Sequence, residues 1–293
     1  MNLAVVTCFL NEEAYLSRLL ESLAAQSRPP DRLLLVDDGS SDRSGELARR
    51  FADQHGWARA VTRPPRPPQR DRLASAAEMK AFTWAVDQLE AGWDAIGKLD
   101  ADMELTPQVL AAVEREFEAD PALGMTGPFI AEAGPDGVPA RKPCGPEHVE
   151  GSTKFYRREC FDQIAPLPPF LGWDTIDESR ARLHGWATRS FAAPGGDPLH
   201  MRPMGAHDGR LRAYRRWGLC AYAYGAHPAH VVAYGGRLAR ERPYVAGGLS
   251  YLGGWLGAAL RRVPRAEPEL RAFVRRDQWR RMTARLRRGA AAA

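Results

Sequence analysis

Cysteine is scarce in this 293-residue sequence, and the four present (Cys8, Cys144, Cys160 and Cys220) make no CxxC pair and no even-spaced framework. That argues against a zinc site and a disulfide scaffold, and it fits a reducing compartment. Lysine is far rarer than arginine: only Lys80, Lys98, Lys142 and Lys154 occur among 41 basic residues. Met1 runs straight into a short apolar strand pattern with no basic lead and no cleavage site, so no signal peptide is expected. Long hydrophobic runs are also missing. The best candidate, "YVAGGLSYLGGWLGAAL", lies near the lower length limit for a membrane span and carries five glycines, so a spanning helix is not expected.

What is present is the composition of an ordinary globular protein, 44% hydrophobic and 26% charged, long enough for one large domain or a domain with an appendage. The net charge of +5 conceals an asymmetry. Residues 1–199 carry 22 Lys and Arg against 31 Asp and Glu, a net −9; residues 200–293 carry 19 against 5, a net +14. A basic terminal third on an acidic body points to a polyanionic partner: membrane phospholipid, a lipid diphosphate or nucleic acid.

The pattern alternates from the start. Leu3 to Thr7 reads as a buried strand, followed by a helix with Leu16, Leu19, Leu20 and Leu23 at helical spacing, which Pro29-Pro30 stops. "RLLLVDD" is a second strand, apolar on both faces. A helix follows with Ser41 or Asp42 as N-cap and Gly56 at its end, and then "ARAVT" as a third strand. The prolines of Arg63–Arg72 make that stretch a basic loop. "SAAEMKAFTWAVDQLEAG" is a helix and "WDAIGKLDAD" a fourth strand, after which Thr106 is expected as the next N-cap, with Pro107 at the first helical position. Further on come a strand and hairpin turned at Pro135-Asp136-Gly137, then a turn and short helix in "GWDTIDESRARLHGW", then arginine-rich helices from about Leu211. The alternation predicts an α/β domain with a largely parallel sheet.

Two acidic clusters fall at strand ends. Asp37 and Asp38 close the second strand, where open α/β sheets bind ligands and where a carboxylate accepts from a base imide or ribose hydroxyls. The competing reading is a strand–turn–helix junction with Asp and Ser as caps. Asp100 and Asp102, with Ala101 between them, end the fourth strand of the same sheet. Two such carboxylates either lie in a solvated acidic loop or converge on a hard cation, Mg²⁺ or Mn²⁺, that neutralises a leaving diphosphate. Lys80, Lys98, Arg70 and Arg72 are candidate diphosphate contacts, and the Arg63–Arg72 loop is placed to close over a donor.

The ordered set "VVTCFLNEEAYLSRLLESL", "LLLVDDGSSD" and "KLDAD", with an acidic turn-helix downstream, resembles the family 2 glycosyltransferases over Met1 to Phe191. The resemblance implies the GT-A fold, a Rossmann-like mixed and mostly parallel sheet flanked by helices. It also implies a nucleoside-diphosphate sugar donor, a divalent cation (Mn²⁺ or Mg²⁺) and inversion at the anomeric carbon. Thr7, Phe9 and Glu13 would then line the nucleotide pocket, Asp38 would hold the base, and Asp100 and Asp102 would bind ribose and metal–diphosphate. Cys8 and Leu10 depart from the family, which often has Pro or Thr at the first and an aromatic at the second. An inverting transfer needs a general base on the acceptor side. The family's "ED" motif falls on "GWDTIDESR", with Trp173 in place of Glu and Asp174 as the base, six residues before Arg180; Asp177 and Glu178 are rivals. Trp173 either stacks on a sugar face or fills a domain junction. His200, with His207 as fallback, would complete the metal site.

These readings give a catalytic domain at 1–200 and a helical, Arg-rich region at 201–293 that contacts a membrane surface, the acceptor or a second subunit, as in a homodimer. The expected setting is cytoplasmic, peripheral on the inner face of the membrane, with a lipid-linked or cell-envelope glycan as acceptor. No nucleic-acid-binding module is recognised in the tail. Two rivals are a sugar nucleotidyltransferase and a non-catalytic scaffold. Against the first, "TCFLNEE" is acidic where a Gly-rich phosphate loop would be needed; against the second, the whole set of carboxylates is present.

Overall fold

A computed structural model describes residues 1–66, 76–133, 138–202 and 209–291, with side chains to residue 284. The turn at Pro135–Gly137, Arg70, Arg72 and His207 lie outside the described residues. Two compact units emerge: Met1–Pro169 with His184–Pro203, and Phe170–Leu183 with Met204–Ala293.

The first unit is built on a seven-stranded sheet of order β10-β6-β9-β4-β1-β2-β3. Its elements are β1 (Leu3–Phe9), α1 (Leu16–Ala24), β2 (Arg32–Asp37), α2 (Ser44–Gln54), β3 (Ala58–Thr62), α3 (Ala77–Val86) and β4 (Ala95–Leu99), then β5 (Met103–Glu104) and α4 (Val109–Ala119). After these come β6 (Leu123–Pro128), β7 (Ala131–Ala133), β8 (Pro139–Arg141), β9 (Thr153–Arg157) and α5 (Arg158–Ile164), and, beyond α6 (Trp173–Leu183) of the second unit, β10 (Ala187–Phe191) and β11 (Leu199–His200). β1 pairs in parallel with β2 and β4, and β2 with β3. β9 runs antiparallel between β4 and β6. The expected α/β fold is therefore present, as a mixed sheet.

Alternation along β1 decides which side chains make the core. Leu3, Val5 and Phe9 point to one face, where they join Leu16, Leu19 and Leu23 of α1 and Val109, Leu110, Val113 and Phe117 of α4. Each of those leucines is at most 1% exposed in the folded chain, and burying one contributes about 1.5–3 kcal/mol. Gly97 on β4 stands opposite Phe155 on β9, whose ring occupies the space a Cβ at Gly97 would need.

Two capping expectations are corrected. α4 starts at Val109, and its N-cap is Gln108, not Thr106. The Thr106 hydroxyl instead donates to the carbonyls of Pro194 (3.2 Å) and Gly196 (3.3 Å), which removes it from the helix end. α2 has Arg43 at its N-cap, while Asp42 accepts from the Ser44 amide at 2.9 Å and the Glu13 amide at 3.1 Å. Asp42 thus joins the two loops rather than capping the helix.

A second sheet, of order β5-β11-β7-β8, contains the expected hairpin strands as the antiparallel pair β7 and β8, whereas β5 and β11 were not foreseen from the sequence. Its middle strand sets His200 beside Met103 of β5 and Glu132 of β7.

The second unit holds α6 with α7 (Arg210–Ala223), α8 (Pro228–Leu238), α9 (Val245–Leu260) and α10 (Pro268–Ala291). Ile176 of α6 packs with Ala266, Leu270 and Val274. Glycines let the helices close up. A Cβ at Gly254 of α9 would strike the backbone of Arg215 in α7, and one at Gly248 would lie 2.5 Å from the Gly235 carbonyl in α8. Those glycines, which dilute the apolar run in the sequence, are packing positions. Among the described residues no helix is long and apolar enough to cross a membrane.

Candidate active site

The strand order reverses at β1: the chain leaves it on one side for β2 and β3 and returns on the other for β4. Loops at the carboxyl ends of strands around such a reversal diverge and leave a crevice. Asp37 and Asp38 stand at the end of β2, Asp100 and Asp102 just past the end of β4, and the Asn11–Tyr15 loop follows β1 between them.

The two acidic residues of β2 differ in their work. Asp37 Oδ1 accepts from the amides of Gly39 (3.1 Å) and Ser40 (2.7 Å), so this carboxylate shapes the turn. Asp38 is held by Arg63, at 3.0 Å, and by Arg66, and its side chain is 1% exposed. Arg63 also lies over the Trp84 ring, 5.9 Å from its centroid.

The D-A-D stretch is split in the same way. Ala101 is 5% exposed and belongs to the core, which anchors the turn between the two carboxylates, of which Asp102 is itself buried. Asp100 forms an ion pair with Lys98, which also pairs with Glu78 of α3 and donates to the Gly151 carbonyl at 2.9 Å. Burial works against the charge on Lys98, but the carboxylates of Asp100 and Glu78 outweigh it and raise its pKa. Glu78 moves upward to about 7 through burial and the nearby Asp100 charge, opposed by Lys98. Its side chain remains 39% exposed.

Asp102 leads a chain of alternating charges. Its Oδ1 lies 3.4 Å from His200 Nε2, and His200 Nδ1 lies 3.4 Å from Glu132 Oε1. Lys142 then bridges Glu132 (3.6 Å) and Glu150 (2.8 Å), and His148 stands 3.6 Å from Glu150. Burial disfavours the charged imidazole of His200, yet a carboxylate at each ring nitrogen overrides it and pushes the pKa up to about 10. On its other side Asp102 faces Arg202 Nε at 3.5 Å, and Arg202 pairs with Glu12 and lies over Tyr15, 4.9 Å from the ring centroid. Burial raises the pKa of Glu12 in spite of Arg202.

Thr7 and Phe9 are 0% and 3% exposed, because the period of two turns them into the core face of β1. Glu13 is exposed and accepts from the Arg43 amide at 3.0 Å, tying the loop after β1 to α2. Its neighbour Glu12 is the one that meets Arg202 beside Asp102. Lys80 is half-buried in the first turn of α3. Trp173 and Asp174 open α6 and are half-buried, whereas Asp177 and Glu178 are 0% and 3% exposed.

The donor chemistry for a hard cation is present in Asp102 and His200, a carboxylate oxygen and an imidazole nitrogen. Mg²⁺ and similar ions commonly take one or two protein ligands and leave the rest to phosphate oxygens and water. Among the described residues, no group of three or more His, Cys, Asp and Glu side chains is arranged to hold an ion. His200 would have to surrender its proton to ligate one.

Comparison with known proteins agrees with this architecture. The structure of a mannosyltransferase from Pyrobaculum calidifontis, solved with GDP-Man and Mn²⁺, aligns over 100% of this chain and 80% of its own, at 16% identity and a TM-score of 0.54. That of S. aureus TarS 1-349 with UDP-GlcNAc aligns over 94% and 78%, at 15% identity and a TM-score of 0.56. These likenesses identify the fold as GT-A. A cholesterol galactosyltransferase from Borreliella burgdorferi is 24% identical over 100 residues, which is 34% of this chain and 26% of the relative's length. The model of "Glycosyl transferase family 2" matches residues 4–167, more than half of the sequence. The chain belongs to glycosyl transferase family 2.

Proposed function

We propose that this protein transfers a sugar from a nucleoside-diphosphate sugar to an acceptor hydroxyl with inversion at the anomeric carbon, and that it requires a divalent cation. The observation that supports this reading best is the position of Asp38 at the end of β2 and of Asp100 and Asp102 just past the end of β4, on either side of the strand-order reversal. The donor complexes of the mannosyltransferase and TarS support a nucleotide-sugar as ligand, and the Mn²⁺ of the former supports a metal requirement.

In this reading Asp38 and its arginines receive the nucleoside, and Asp100 receives the ribose. Asp102 and His200 hold the cation, which when bound supplies positive charge to the leaving diphosphate. Arg202, already facing Asp102, adds a second cationic group there. Asp174 removes the acceptor proton, an assignment based on its place in the "GWDTIDESR" motif. Holding the acceptor hydroxyl in line with the anomeric carbon lowers the barrier further. The +14 charge of residues 200–293 favours a membrane-proximal, lipid-linked or cell-envelope glycan as acceptor.

The test is Asp174→Asn. Donor binding by calorimetry should stay at the wild-type level while transfer falls by about 10²–10⁴-fold, the range for loss of a general base. Near-normal turnover in this variant would move the base to another residue.

A further inference from the structure

We propose that the outer face of α9 is a docking surface for an anionic lipid bilayer. The sixteen residues of α9 include no charged side chain. Its inner face, with Gly247, Gly248, Tyr251, Gly254 and Ala258, is buried. Its outer face leaves Val245, Leu249, Leu256 and Leu260 exposed by 62%, 63%, 54% and 84%. At 3.6 residues per turn these four side chains fall within an arc of about 60° and form one stripe along the helix. Apolar stripes of this kind on a surface helix mark an interaction site.

Charge decides between the candidate occupants. Arg240 and Arg242 precede the helix, Arg261 and Arg262 follow it, and all four are exposed. Glu241, the acidic residue at that end, is held by Arg237 at 3.1 Å. A second copy of the chain laid on the same stripe, in either direction, would oppose arginines with arginines at both ends. An anionic bilayer instead meets the stripe with hydrocarbon and the arginines with phosphate. Tyr244, 54% exposed at the start of α9 and accepting from Arg242 Nε at 3.4 Å, suits the headgroup level. Trp255 turns inward to Tyr222, with ring centroids 6.2 Å apart. α10 turns Leu270 and Val274 to the cluster around Ile176, so its apolar side is already used.

The inference does not depend on the transferase chemistry, since vesicle binding requires no turnover. The experiment is flotation of the full chain with vesicles of phosphatidylcholine alone or mixed with phosphatidylglycerol. Wild-type protein should float with the mixed vesicles only. Leu249→Asn with Leu256→Asn, both at exposed positions, should lower the partition coefficient by about tenfold per leucine. Arg261→Gln with Arg262→Gln should weaken binding and flatten its salt dependence. Absence of flotation, or undiminished binding of the double leucine variant, would overturn the proposal. So would a concentration-dependent dimer that the leucine changes abolish, since this would give the stripe to a second copy.

Discussion

Lys98 is the residue whose loss should be felt most sharply. Its side chain is 3% exposed, and its ammonium meets Asp100, Glu78 and the Gly151 carbonyl among the described residues. Lys98→Met keeps the length of the side chain and removes the charge. Two carboxylates then face each other without a counterion, and the carbonyl loses its donor. Removing one member of a buried charge cluster costs about 3–5 kcal/mol. Asp100 and Glu78 retain 22% and 39% exposure, so water offsets part of this and the low end, about 3 kcal/mol, is expected. Glu78→Gln should cost much less, because Lys98 keeps Asp100. In the Lys98→Met background, Glu78→Gln should recover stability by relieving the repulsion, so the cycle has a coupling term of opposite sign to either single change. Urea denaturation of the four proteins measures it. Wild-type stability in Lys98→Met, or no recovery in the double variant, would refute the assignment of Lys98 as the counterion that holds Asp100.

Two further outcomes follow from the geometry. The folded pKa of His200, about 10, lies above its ordinary 6.5, so its stabilising contribution is full below pH 6.5 and disappears as pH rises towards 10. His200→Gln should flatten stability over that window in metal-free buffer, as read by thermal melts across pH; an unchanged slope would show that the imidazole is not held by Asp102 and Glu132. Gly97→Val should destabilise by about 1–3 kcal/mol through collision with the Phe155 ring, with partial recovery by Phe155→Leu, again read by denaturation.

How much of this was legible in the sequence depends on range. β1, β2 and β4 could be read because buried parallel strands are continuous apolar runs, and the carboxylates at their ends are local to those runs. Of the second sheet, only the β7–β8 hairpin could. β5 and β11 are two residues each, too short for any periodicity, and their pairing joins distant parts of the chain. The charges around Asp102 were lost with it, since Glu132, Lys142 and Arg202 look like surface residues until β7 and β11 bring them in. That Glu12 meets Arg202 while Glu13 is exposed has a local reason. Asn11 has φ of 56°, and that left-handed turn breaks the alternation on which an extrapolation from β1 relies.

The central claim is that the crevice at the end of β1 takes a nucleoside diphosphate together with a divalent cation. Calorimetric titration of the whole chain with UDP, GDP and dTDP, each with and without Mn²⁺, tests it directly. The account predicts tight binding of one nucleotide that requires the ion and disappears in Asp102→Ala. Binding of none of the three, with or without Mn²⁺, would contradict it.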